Sequence, residues 1–93
     1  MIQVNLLATF RLHAGIKTFN LDLPENTSVR QAVAEIIRRY PALRADWLDE
    51  QGELHAHVHI IVDGEEVSTL PDGPETRLQA NAVLEFFPPV AGG

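Results

Sequence analysis

Cysteine is absent from the 93-residue chain. Disulfides, zinc sites built on thiolates and iron–sulfur clusters are therefore excluded. The sequence also has no Gly-rich phosphate-binding loop and no Ser-His-Asp arrangement with supporting context. Since a nucleophilic thiol is missing too, we do not expect the protein to have an active site of its own.

Basic side chains and long apolar runs are also scarce. Seven Lys and Arg residues stand against thirteen Asp and Glu residues, a net charge of −6. This charge repels phosphate backbones and anionic lipid, so it argues against nucleic acid or a membrane as partner and favours a basic protein surface. No apolar run approaches the roughly 18 residues of a membrane span. Because no signal peptide opens the chain either, we expect a cytoplasmic protein.

The chain does have enough apolar residues for one core. Hydrophobic residues make up 45% of it, which suffices for a single domain of this length without metal or disulfide. Alternation of apolar and polar residues predicts strands over residues 2–10, 18–23, 54–62 and 83–87, and a short strand over residues 67–70. The segment between the first two strands, residues 11–17, is predicted to be a hairpin loop. Asp63-Gly64 is a dipeptide typical of a tight hairpin turn.

One strong helix is predicted between the second and third strands. Apolar residues recur there at three- and four-residue spacing, Thr27 or Ser28 is a suitable N-cap, and Pro41 ends the helix at Tyr40. Residues 41–49 are predicted to add a short helical turn. The order of elements indicates an α+β domain, with one helix on one face of a mixed sheet of about five strands. The other face of the sheet must then meet solvent or a partner.

His55, His57 and His59 alternate along the predicted third strand. Three imidazoles on one strand face could approach a single metal ion. Same-face Cβ atoms are nearly 7 Å apart, however, so three of them rarely converge on one ion. We therefore favour a solvated strand face and no metal site, with the three-histidine site as the alternative.

The most distinctive stretch is the last eight residues. Phe86 and Phe87 close a strand pattern, Pro88 and Pro89 follow, and the sequence continues as Val90-Ala91-Gly92-Gly93. Proline favours extended backbone and glycine lacks a Cβ, so residues 88–93 are expected to leave the domain as a slim rod that fits a narrow channel. A carboxylate at its tip could enter a partner's active site. The alternative is an ordinary frayed terminus.

These eight residues resemble the C-terminal signature of the small subunit of molybdopterin synthase, and more broadly of the MoaD/ThiS family of ubiquitin-like sulfur carriers. The resemblance implies a β-grasp domain over residues 1–87 and an extended tail over residues 88–93. It also implies that an E1-like enzyme uses ATP to adenylate Gly93, which then becomes a thiocarboxylate. Because the chain has no thiol, this carboxylate is the group that would hold the sulfur. No cofactor is expected on the chain itself.

The uncovered sheet face is expected to carry the partner interface. In β-grasp order the first strand and the strand with Ile61 both flank the last strand, so Leu7, Ile61 and Phe87 would form one apolar patch beside the tail. By resemblance, Leu7 and Phe87 contribute to the interface with the large synthase subunit. The alternative is that these are three separate exposed apolar residues, which are common on protein surfaces and indicate no interface.

Three functions remain open on sequence. The first is a sulfur carrier, for molybdopterin synthesis above all, with cysteine synthesis or tRNA thiolation as other destinations. The second is a ubiquitin-like modifier joined to lysines through Gly93. The third is a metal-binding or plain interaction module that uses the three histidines. One departure from the family lies before the last strand, where Ala80-Asn81-Ala82 replaces the usual Gly-Asp.

Overall fold

The computed structural model describes residues 1–89, and a mixed sheet forms its centre. The strands are β1 (Ile2–Leu6), β2 (Thr18–Leu21), β3 (His59–Val62), β4 (Glu65–Glu66) and β5 (Val83–Phe87). They lie in the order β2-β1-β5-β3-β4. β5 pairs parallel with β1 and antiparallel with β3. The predicted β-grasp order is therefore confirmed, with the last strand at the centre of the sheet.

The main helix, α2 (Val29–Arg39), covers one face of this sheet. Ser28 is its N-cap: the Ser28 Oγ accepts from the Gln31 N–H at 3.1 Å, and the Ser28 N–H donates to the Gln31 Oε1 at 2.9 Å. This reciprocal pair is a capping box, which satisfies two N–H groups that the helix itself leaves free. The helix ends at Arg39, within one residue of the predicted end. Five of its side chains are buried with the strand residues in one core: Val29, Ala32, Val33, Ile36 and Ile37.

The predicted strand over residues 2–10 is wrong beyond Leu6. Residues 8–14 form a second helix, α1 (Ala8–Ala14), where the sequence pattern indicated the end of a strand and a loop. Ala8 has a φ of 53°, which turns the chain out of the sheet. Phe10 is buried from this helix, where it meets Trp47 edge-on with ring centroids 5.7 Å apart. An apolar residue at position 10 fits the two-residue period of a strand and also the period of a helix. The pattern could therefore not distinguish a strand from a helix here.

Two further predicted strands are shorter or absent. Only residues 59–62 of the predicted 54–62 strand are extended into the sheet, and Leu54 instead makes an isolated bridge with Leu48. Residues 67–69 are a 3-10 helix that buries Val67, so the strand predicted over residues 67–70 is wrong. The Asp63-Gly64 turn is confirmed, with φ values of 48° and 88° that the turn requires.

Short helices close the rest of the core. The predicted helical turn after Pro41 is confirmed as a 3-10 helix over Pro41–Leu43 and a single turn, α3 (Arg44–Trp47). Trp47 stacks on Phe86 with ring centroids 4.3 Å apart. Another 3-10 helix covers Gly73–Glu75 in the connection to β5. Among the helices in residues 1–89, none is long and apolar enough to cross a membrane.

Candidate docking surface and tail root

The strand that precedes the tail is held on both sides. Glu85 and Phe86 in β5 have register partners in both β1 and β3, so the end of β5 is fixed in the sheet. Phe87 is its last residue and is half-buried. Pro88, also half-buried, and the exposed Pro89 follow directly, and we call these two prolines the tail root. The pairing of β5 with both neighbouring strands therefore sets the direction in which the chain leaves the sheet at the tail root.

The rest of the predicted tail lies outside the described residues. Val90, Ala91, Gly92 and Gly93 belong to it, so their expected roles remain predictions. The division into a domain over residues 1–87 and a tail over residues 88–93 likewise remains a prediction.

Opposite the helix, the sheet has an open face. In β5, Val83, Glu85 and Phe87 alternate with the buried Leu84 and Phe86. Residues at even spacing share a face, so the first three point away from the core. His59 lies opposite Phe87 in the register with β3, and Ile61 lies opposite Glu85. Ile61 and Phe87 are therefore on neighbouring strands of the open face, as predicted.

Leu7 completes the predicted patch from the end of β1. Its backbone is extended, with φ −121° and ψ 156°, and its N–H donates to the Phe86 carbonyl at 3.1 Å. Since it follows the buried Leu6, its side chain turns to the open face, where it is 39% exposed. We call Leu7, Ile61 and Phe87 the apolar patch. The structure brings them together at the β1–β5–β3 end of the sheet, beside the tail root.

A polar network occupies the other half of the open face. Asn5 Oδ1 accepts from the Thr18 Oγ1 at 3.0 Å and from the Gln3 Nε2 at 3.2 Å. Asn5 Nδ2 in turn donates to the Glu85 Oε2 at 3.4 Å. These bonds hold the carboxylate of Glu85 at the border of the apolar patch. The open face therefore combines an apolar side with an acidic border.

The three histidines do not share a strand face. His55 and His57 lie in the loop before β3, with their rings stacked at 4.7 Å. Only His59 lies in the sheet, where its ring stacks on Phe87 at 5.0 Å and 14°. The predicted trio on one strand face is wrong because residues 54–58 leave the strand geometry. Within residues 1–89, no three His, Asp or Glu side chains are grouped to hold a metal ion.

Glu66 is a neighbour of His59 that sequence reasoning missed. Its Oε1 is 2.6 Å from the His59 Nδ1, and its Oε2 accepts from the Ser68 Oγ at 3.2 Å. The hydrogen bonds from His59, and then from Ser68, hold the pKa of Glu66 below its usual value. The Asp63-Gly64 turn was the available signal, because a two-residue hairpin places Glu66 opposite Ile61.

The family model of the ThiS family matches residues 4–93. The chain belongs to the ThiS family. The family prediction made from the tail and the order of elements is therefore confirmed. Members of this family are small ubiquitin-like sulfur carriers or modifiers and are not enzymes themselves.

Three similar proteins illustrate the range of this ThiS-family fold. Small archaeal modifier protein 3 of Haloferax volcanii is 34% identical over 92 residues, covering 99% of this chain and 98% of the relative. The crystal structure of SAMP1 from Haloferax volcanii superimposes with a TM-score of 0.88 at 27% identity, covering 99% of this chain and 98% of that one. A structure from Pyrococcus furiosus described as molybdopterin converting factor, subunit 1, has a TM-score of 0.74 at 29% identity. The match covers 96% of this chain and 97% of that one.

Proposed function

We propose that this protein is a sulfur carrier whose terminal carboxylate, on Gly93, is activated by an E1-like enzyme and then holds sulfur as a thiocarboxylate. One observation carries the proposal: the central strand β5 ends at Phe87 and continues without a linker into Pro88-Pro89, beside the apolar patch. A partner that docks on the patch would find the tail entering its own active site. The small residues Val90, Ala91 and Gly92 suit a narrow channel there.

The chemistry requires activation because a carboxylate is a poor acceptor of sulfur. The partner would transfer AMP from ATP to Gly93, with release of pyrophosphate, and so form a mixed anhydride. Sulfide would then displace AMP and leave a thiocarboxylate; a persulfide donor would need a thiol reductant as well. The thiocarboxylate is the stronger nucleophile and attacks an activated carbon in a second enzyme. Hydrolysis of the resulting acyl product regenerates the carboxylate.

We propose molybdopterin synthesis as the destination, with this chain as the small, non-catalytic subunit beside a large synthase subunit. The likeness to a structure described as a molybdopterin converting factor subunit supports this choice. Cysteine synthesis and tRNA thiolation are the alternative destinations. In each case the ATP site and the acid–base groups belong to partners, which is consistent with the cytoplasmic location expected from the sequence.

The apolar patch is the proposed docking site for both partners. Leu7, Ile61 and Phe87 would be covered on binding, and Glu85 and Glu66 at the border would meet basic side chains of the partner. A net charge of −6 supports a basic partner surface.

Intact-mass measurement tests the carrier function directly. The chain is incubated with ATP, a sulfur donor and candidate adenylating enzymes, and we expect the mass increase that replacement of one oxygen by sulfur produces. Gly92→Val and deletion of Gly93 should leave folding unchanged and abolish the product. Ala91→Gly is the matched control, because it makes the tail slimmer and should retain activity. Normal sulfuration of Gly92→Val would refute the role of the tail. Molybdopterin formation from its precursor, assayed with a large subunit, then tests the destination.

Conjugation to lysine is the second candidate function. The names of two relatives from Haloferax volcanii, small archaeal modifier proteins 3 and 1, favour it. Activation of Gly93 is the same, but a lysine amine displaces AMP in place of sulfide. A ladder of high-mass conjugates in cells, lost on deletion of Gly93, would support this function.

A further inference from the structure

On the open face of the sheet, the imidazole ring of His59 contacts Phe87, the last residue before the tail root. One side of its imidazole stacks on Phe87 at 5.0 Å. Glu66 and Ser68 extend the contact as a hydrogen-bonded chain that reaches across β3 and β4. With Glu66 and Ser68, His59 also lines a cavity of about 270 Å³ beside the β3–β4 edge of the sheet.

Glu66 decides which ring nitrogen of His59 carries the hydrogen. The hydrogen bonds to Glu66 keep its pKa low, so at neutral pH the carboxylate is ionised and can only accept. Nδ1 of His59, 2.6 Å away, must therefore be the N–H that donates. In the neutral tautomer that this bond selects, Nε2 carries the lone pair and accepts a hydrogen bond. Nε2 has no partner within residues 1–89, and the side chain is 38% exposed.

We propose that His59 is a specificity-determining residue of the docking surface, whose Nε2 accepts a hydrogen bond from a basic or N–H donor on the partner protein. This inference rests on the proposed function, since the partner is the enzyme that loads the tail.

The charges around His59 are consistent with a basic partner. Glu66 from β4 bonds to the ring, and Glu85 from β5 lies across from Ile61, the next residue of β3 on the same face. His55 lines the same cavity from the loop before β3. The two carboxylates give the border of the patch a negative field that attracts Lys and Arg. Ile61 lies between these two carboxylates in the register, and His59 lies beside Ile61 on the same face.

Steady-state kinetics with the adenylating enzyme test the inference, with this chain as the varied substrate. His59→Phe keeps an aromatic ring to stack on Phe87 but has no ring nitrogen. At about pH 8 we expect KM for the chain to rise about five- to tenfold, the usual worth of one hydrogen bond, with kcat unchanged.

Two further variants separate docking from folding. His57→Phe is the matched control, because His57 lies outside the sheet, stacks on His55 and does not line the cavity beside His59; it should keep the wild-type KM. Glu66→Gln replaces the ionised acceptor with a neutral amide that no longer selects the tautomer, so KM should rise at about pH 8. Each variant is first shown by its thermal unfolding curve to be folded.

A wild-type KM in His59→Phe would overturn the inference. A fall in kcat with KM unchanged would overturn it as well, since the residue would then act after docking. If the wild-type chain itself gave no thiocarboxylate with any adenylating enzyme, the proposed function would fail. That result differs from the others because wild type and variants would be inactive alike.

Discussion

Ser28 illustrates how a single side chain determines the start of a helix. Thr27 and Ser28 are equally good N-caps by residue type, but only Ser28 is placed three residues before a glutamine whose side chain can reach back. The Gln31 side chain accepts from the Ser28 N–H at 2.9 Å. Thr27 Oγ1 instead donates to the Pro24 carbonyl at 2.6 Å. The two hydroxyls therefore stabilise different local structures.

Replacement of Ser28 tests the capping box. Ser28→Ala removes the acceptor for the Gln31 N–H and should lower the free energy of unfolding by about 1 kcal/mol. Urea denaturation followed by circular dichroism measures the change. Ser68→Ala is the control, since this exposed hydroxyl caps no helix and its loss should cost less than about 0.5 kcal/mol. Equal effects of the two substitutions would show that the cap does not matter.

Glu35 is a second single residue with a predictable effect, because its ionisation makes the stability of the fold depend on pH. Its carboxylate binds Arg38 at 2.6 Å and Arg39 at 2.9 Å, and the hydrogen bonds from these guanidinium groups lower its pKa from 4.5 to about 2. A carboxylate with a lowered pKa in the folded state stabilises the fold above its unfolded pKa. This stabilisation is lost as the pH falls from 4.5 to about 2.

We therefore expect Glu35→Gln to be less stable than the wild type at neutral pH, by a small amount because the pairs are near the surface. The difference should shrink as the pH falls through the range between 4.5 and about 2, and added salt should reduce it at neutral pH. Thermal unfolding over a pH series measures both effects. A difference that stayed constant down to the lowest pH would contradict the assignment.

At the scale of elements, α1 is the clearest departure from the sequence pattern. The helix is seven residues long and holds Phe10 against Trp47, while Leu12 on its outer side is 70% exposed. Gly15 ends the helix with a φ of 76°, and its N–H donates to the Arg11 carbonyl. A helix this short has little stability of its own. It therefore depends on the packing of Phe10.

Two substitutions on α1 should differ widely in effect. Phe10→Ala leaves a cavity beside Trp47 and should cost about 3–5 kcal/mol of unfolding free energy. Leu12→Ala, two residues along the same helix, should change it by less than about 0.5 kcal/mol. Denaturation curves of the two variants give the comparison directly. Similar losses would mean that Leu12 is packed and that the helix faces the core differently.

The elements that were predicted correctly depend on local signals. The capping residues and Pro41 bound α2, and Asp63-Gly64 adopts the positive φ values that a tight hairpin needs. Three segments were predicted wrongly: residues 8–14, 54–58 and 67–70. In residues 8–10 and 54–58, alternating apolar residues also fit a helix or a turn. Contacts that the pattern does not contain decide their conformation, such as Phe10 with Trp47 and Leu54 with Leu48.

For the whole molecule, the open face and the net charge together define how a partner would approach. The apolar patch would supply the buried contact, and a charge of −6 would draw a basic surface toward it. Electrostatic attraction of this kind acts on the association rate and is screened by salt. We expect the association rate constant with the adenylating enzyme to fall as salt is raised, measured by surface plasmon resonance. A rate constant independent of salt would argue against a basic partner.

Substitutions at two exposed leucines, Leu7 and Leu12, test the apolar patch as the docking site. Leu7→Ser should weaken binding to the adenylating enzyme by about 1 kcal/mol or more, because a central apolar contact is lost. Leu12→Ser changes the same residue type on the outer side of α1 and should leave the affinity unchanged. Calorimetric titration measures both. Equal affinities of the two variants would place the interface elsewhere.

By itself, the sequence determined the α+β class, the start of the main helix, the tight hairpin and the position of the Pro-Pro-Val-Ala-Gly-Gly stretch directly after the last strand. These features depend on backbone preferences of particular residues and on long periodic segments. Tertiary structure alone decided that residues 8–14 are helical, that residues 54–58 lie outside the third strand, and that the His59 ring bonds to Glu66. Such outcomes depend on contacts between distant segments, and a one-dimensional pattern contains no information about which of two compatible conformations those contacts will stabilise.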